Sequence, residues 1–109
     1  MADTLKVLGQ LNPSATTLTT LYTVPASTSA MVSSIVVANR SATATAFRLS
    51  VAIAGAADDN KQYIAYDVPI EGQETKVLAL GLALATTDVL RAYATLATLS
   101  FSAFGVEVT

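Results

Sequence analysis

At 109 residues, 52% of them hydrophobic, the chain has the length for one domain and one core, and with neither cysteine nor histidine that core must hold by burial and backbone pairing. The same two absences exclude Ser-His-Asp and Cys-His nucleophile systems and the usual His/Cys zinc site. Charged residues make up 13%, against about 25% in ordinary soluble domains, and the net charge is −2. The cations Lys6, Arg40, Arg48, Lys61, Lys76 and Arg91 stand singly, so no phosphate-binding patch and no nucleic-acid partner is expected.

Ser, Thr and Ala stand where charge would be expected, over residues 14–20, 41–46 and 94–98. Such side chains lose little rotamer entropy when pressed against another surface, which suits a permanent assembly. The first residues carry an acid at Asp3 and no long apolar block, so no signal peptide is expected. The longest apolar run, residues 77–85, is about half of the ~20 residues a membrane span requires. The expectation is a soluble protein made in the cytoplasm, with no membrane partner.

In chain order, Leu5 and Val7 suggest a first short strand broken at Gly9, and Asn12, Pro13 and Ser14 a turn. Residues 18–24 read as a second strand ended by Pro25, which cannot donate to a ladder. Residues 28–39 carry apolar side chains on both alternating sides: Met31, Ile35 and Val37 on one, Val32, Val36 and Ala38 on the other. That pattern predicts a strand inside a sheet and covered over most of both faces. Asn39, Arg40 and Ser41 form a glycosylation sequon that reads as a turn.

Residues 46–54 alternate most cleanly, with Phe47, Leu49, Val51 and Ile53 predicted to face the core. A loop over residues 55–61 leads to a strand over 62–70, where Pro69 points to an edge or an end. Residues 76–84 alternate Leu78, Leu80, Leu82 and Leu84 with small residues. Ala and Leu favour helix, but the alternation and Gly81 favour a strand. Residues 89–95 and 98–108 are the last strands, with Gly105 as a candidate bulge that re-phases Val106 and Val108. About eight short strands with turns between them predict an all-β fold: a single-domain antiparallel β-sandwich or jelly roll over residues 1–109, with an up-and-down barrel as the alternative.

Three groups of residues invite a chemical reading, and each has a plainer one. Asp58, Asp59 and Asn60 offer clustered oxygens but lack the longer acidic pattern of a calcium loop, and read as a turn. Glu71 and Glu74, with Asp67 nearby, could imitate a glycosidase pair, yet they sit around a turn with no apolar pocket implied. Tyr63, Tyr66 and Tyr93 could stack on a sugar, with core or interface packing as the simpler role. No catalytic residue, cofactor-binding residue or metal ligand is assigned.

Three segments carry a resemblance: LYTVPASTSAMVSSIVVANR (residues 21–40), TDVLRAYA (87–94) and FSAFGVEVT (101–109). Together they resemble the small virion structural proteins of tailed bacteriophages, in which a YTVPA…SSIVVAN segment and a C-terminal F-x-x-F-G-x-E recur. The resemblance implies a non-enzymatic β-sandwich held in many copies, decorating or cementing the particle at the head surface, or else placed at the neck, a tail or a fibre. The tyrosines and loop carboxylates give a host-glycan-binding module as the alternative. Strands rich in Val, Ile, Thr and Leu with few cations leave sheet edges unguarded, which predicts a homo-oligomer built on Ala, Thr and Ser faces with an aromatic such as Tyr66 or Tyr93. The resemblance implies a trimer foremost, in contact with capsid or tail subunits. It carries no site residue with it.

Overall fold

The computed structural model describes residues 2–109 as two antiparallel sheets packed face to face. The strands are β1 (Asp3–Leu11), β2 (Thr19–Thr23), β3 (Ser29–Asn39), β4 (Thr45–Ala52), β5 (Tyr63–Ile70), β6 (Thr75–Leu78), β7 (Leu82–Leu84), β8 (Val89–Ala94) and β9 (Leu99–Val108). One sheet runs β1-β9-β3-β6, with β7 also paired to β3, and the other runs β2-β8-β4-β5. With β6 and β7 taken as one interrupted strand, the partners nest: β1 with β9, β2 with β8, β3 with β6 and β7, and β4 with β5. This is the roll of a jelly-roll sandwich, and it excludes the up-and-down barrel, whose neighbours in sequence are neighbours in space.

The core lies between the sheets. Phe47 of β4 meets Phe101 of β9 edge to face at 5.9 Å between ring centroids, and Ile35, Val37, Leu49, Leu90 and Leu99 close round them with no exposure. The nine strands exceed the expected eight because residues 76–84 break at Ala79, Leu80 and Gly81. Gly81 has φ +62°, a left-handed conformation that a side chain resists, so alternation could persist on both sides of a break that the ladder could not cross.

The two-sided pattern of β3 has another origin than burial on both faces. The strand is interior, flanked by β9 on one side and by β6 and β7 on the other. Its register against β9 skips Ser33: Val32 lies opposite Gly105, and Ser34 opposite Phe104. One extra residue shifts the phase, so Ala30 and Val32 face the core before it and Ile35, Val37 and Asn39 after it. Met31 is left on the exposed outer face, with Val36 and Ala38 half-buried beside it.

The bulge anticipated at Gly105 therefore lies on its neighbours. Strand β9 keeps one phase, with Leu99, Phe101, Ala103 and Gly105 all buried, while β3 bulges at Ser33 and β1 at Leu8 on either side of it. Gly105 permits this, because a Cβ there would run into the Met31 carbonyl and lie 3.1 Å from Leu8 Cδ1. Gly9 does not break β1. It lets the β2 backbone close over it, since a Cβ would meet the Leu21 carbonyl.

In β4, Phe47 and Leu49 face the core as expected, but Val51 is half-buried and Ile53 is 76% exposed. The strand ends at Ala52 in a 3₁₀ turn, Ile53–Gly55, where Ala54 sits at φ +54° and donates its N–H to Asp88 Oδ1 at 3.0 Å. The loop then folds back over the outer face of its own sheet, tied down by Arg91 to the carbonyls of Ala56 and Gly55 at 3.0 and 3.4 Å. Ser50 and Ala52 lose all exposure. Alternation within a strand cannot foretell a loop that covers its outer side.

Candidate functional site

Directly opposed residues of an antiparallel pair share a face, so the outer surface of the β1-β9-β3-β6 sheet can be read row by row. Leu5, Val106, Met31 and Ala83 form one row across β1, β9, β3 and β7. Val7, Phe104 and Ser34 form the next, then Gln10, Ser102, Val36 and Val77, then Ser100, Ala38 and Thr75. Of the residues in these rows and the Asp3–Val108 row that borders them, only Asp3 carries a charge. Leu5 is 82% exposed and Val77 65%, with Val7 and Met31 also exposed. Contiguous apolar surface without charge on a folded domain marks a place of contact.

The outer face of the other sheet is different in kind. The Arg48 guanidinium lies 4.1 Å from the ring centroid of Tyr66 and 4.5 Å from that of Tyr93, and its Nε donates to Asp67 Oδ1 at 2.6 Å. That hydrogen bond, with the carboxylate's charge, holds the Arg48 proton more tightly than usual. Tyr63 meets Tyr66 edge to face at 5.0 Å and donates to Asp58 Oδ2 at 3.4 Å, and burial pushes its hydroxyl up from the ordinary tyrosine value. The structure brings all three tyrosines named from the sequence into one cluster. Arg48 occupies ring faces of Tyr66 and Tyr93 that a sugar would use, and the cluster ties the bulged edge strand β5 to β4 and β8.

Asp58, Asp59, Asp67 and Glu74 are spent on local structure. Asp59 caps the 3₁₀ turn Asn60–Gln62, accepting from the Lys61 N–H at 3.1 Å, and the Gln62 side chain reaches back to its N–H. Glu74 Oε1 accepts from the Glu71 N–H at 2.8 Å and Oε2 lies 3.8 Å from Lys76, while Asp67 belongs to Arg48. Three or more metal-ligating side chains do not converge anywhere among the described residues. Asn39 of the sequon is buried, its amide donating to the carbonyls of Thr43 and Glu71 at 2.8 and 3.1 Å and its oxygen accepting from the Ser41 N–H. It joins the β3–β4 and β5–β6 turns and leaves no amide free for a glycan.

One polar group reaches between the sheets. Glu107 of β9 accepts from the Tyr22 hydroxyl of β2 at 2.6 Å and from Lys6 Nζ of β1 at 3.3 Å. The Tyr22 bond, helped by Lys6, holds the carboxyl below its usual range against the opposing effect of burial. Burial first, then Glu107, pushes the Tyr22 hydroxyl well above its ordinary value. The triad closes the side of the sandwich where β1 and β2 meet.

No protein-family model and no curated protein sequence matches the chain. The neutral aliphatic face and the tyrosine–arginine cluster are the two surfaces from which function has to be read.

Proposed function

We propose that this protein is a non-enzymatic structural component of a bacteriophage particle, carried in many copies as a rigid jelly-roll block, with the head surface as its first placement and a tail or fibre as its second. The observation that carries the reading is the uncharged outer face of the β1-β9-β3-β6 sheet, apolar across Leu5, Val7, Met31, Phe104, Val106 and Val77 and otherwise Ser, Thr and Gln, a surface suited to lasting protein contact. The three segments that resemble phage virion proteins support it, because they come together in space: residues 21–40 supply the end of β2 and all of β3, residues 87–94 supply β8, and residues 101–109 supply most of β9. β8 pairs with β2, and β9 with β3. The host-glycan reading draws less support, since Arg48 already stacks on Tyr66 and Tyr93.

Quantitative mass spectrometry of purified particles tests the proposal. The chain is expected at a fixed ratio to the major capsid or tail protein through successive gradient steps. Its absence from particles that are otherwise complete would remove the proposal.

A further inference from the structure

We infer that the aliphatic outer face of the β1-β9-β3-β6 sheet seats a second copy of this chain, the two sheets meeting face to face about a two-fold axis. The inference rests on the multi-copy structural reading above and assigns its contact surface.

Charge is the first reason for choosing a second copy. An isologous contact brings a patch against itself, so any charge near its centre meets its own like. Here the central rows are Leu5, Val106, Met31 and Ala83 beside Val7, Phe104 and Ser34, all neutral, and Asp3 lies at the border. The outer face of the opposite sheet carries Arg48, Asp67 and Arg91 close to its middle, so a contact there would have to take charge out of water.

Area is the second. Four strands at ~4.8 Å spacing and eight residues of length at ~3.3 Å each make a flat face of roughly 500 Å². The pleat and projecting Leu5, Met31 and Val77 side chains raise the accessible area toward the ~800 Å² per partner of a standard specific interface. The third reason is shape: the rows belong to one continuous sheet, and sheets stack with interdigitating side chains at ~10 Å, as the two sheets of this chain already do. The resemblance implies a trimer, whereas a neutral face confined to one side of the block fits a two-fold pair.

Sedimentation velocity over about 1 to 100 μM, the range a contact of this size can reach, reads the assembly directly. The wild-type chain is expected to dimerise, and Met31→Lys and Val77→Lys are each expected to weaken the dimer at least tenfold without changing the thermal transition of dilute protein. Both side chains are solvent-exposed, so neither change threatens the fold. Ile64→Lys, on the exposed side of edge strand β5, is expected to dimerise as wild type does. A monomer throughout, a trimer, a dimer that survives both lysines, or one broken by Ile64→Lys overturns the inference. The two proposals fail separately. A wild-type monomer that is nevertheless present in purified particles removes the two-fold pair and keeps the virion reading, while a dimer lost on Met31→Lys in a chain absent from particles does the reverse.

Discussion

Glu107 shows how one residue can set the pH response of a fold that is otherwise poor in charge. Its folded-state pKa is depressed, so its contribution is present above the unfolded carboxylate value of about 4.3 and is lost as pH falls through the folded value. Tyr22 works in the opposite sense: its raised pKa gives stability that is full below about 10 and is lost as pH climbs toward the folded value. Tyr22→Phe removes the hydrogen bond to Glu107 and is expected to cost about 1 to 2 kcal/mol at neutral pH while flattening both the acid and the alkaline limb. Urea midpoints from pH 3 to 11, on the order of that span, check this; an unchanged acid limb would place the sensitivity elsewhere. Gly105→Ala acts by crowding. The new methyl must displace the Met31 carbonyl or β9 itself, and a loss of about 1 to 3 kcal/mol is expected by thermal melting.

At the scale of the element, β3 and β4 separate what alternation can report from what it cannot. Phe47 and Leu49 were legible as core because a one-faced strand repeats with period two, and Leu49→Ala is expected to cost about 2 to 5 kcal/mol. Val51→Asp, in contrast, should be milder than at a fully buried site, because Val51 is half-buried at the strand's end. Strict alternation sets Met31 on one face with Ile35 and Val37, and Val36 and Ala38 on the other with Val32, whereas the extra residue at Ser33 leaves Met31, Val36 and Ala38 together on the outer face. The aliphatic outer face was hidden for that reason, and the tyrosine cluster because Arg48, Tyr66 and Tyr93 meet only through the β4-β5 and β4-β8 pairings. The bulge makes a sharp prediction. Deleting Ser33 restores regular alternation, with Ala30, Val32, Ile35 and Val37 still on the core side, so the variant should unfold cooperatively and near the parent temperature. Deleting Val36 turns Val37 and Asn39 outward and should abolish the cooperative transition, as followed by calorimetry.

For the whole molecule, the nesting of the strands means that only β4 and β5 are both consecutive in sequence and paired. The outermost pairing is the most distant: Asp3 lies opposite Val108, and the Ala2 and Thr109 backbones exchange two hydrogen bonds of 3.0 Å. Sequence separation of this kind slows folding, since chain entropy is lost before the contacts that offset it are made, and sandwiches of this class fold in roughly milliseconds to seconds. Closing a loop of about 105 residues is some 2 kcal/mol less favourable than closing one of about 10. Joining Thr109 to Ala2 through a short glycine linker and opening the chain between Ala79 and Leu80, both exposed and outside any strand, would turn β9 and β1 into a hairpin with every sheet pairing retained. Stopped-flow refolding of that permutant is expected to be faster by up to about tenfold, with the unfolding limb almost unchanged. An equal refolding rate would mean that the seam between the first and last strands closes only after the rate-limiting barrier, and that the roll is nucleated at the β4-β5 end.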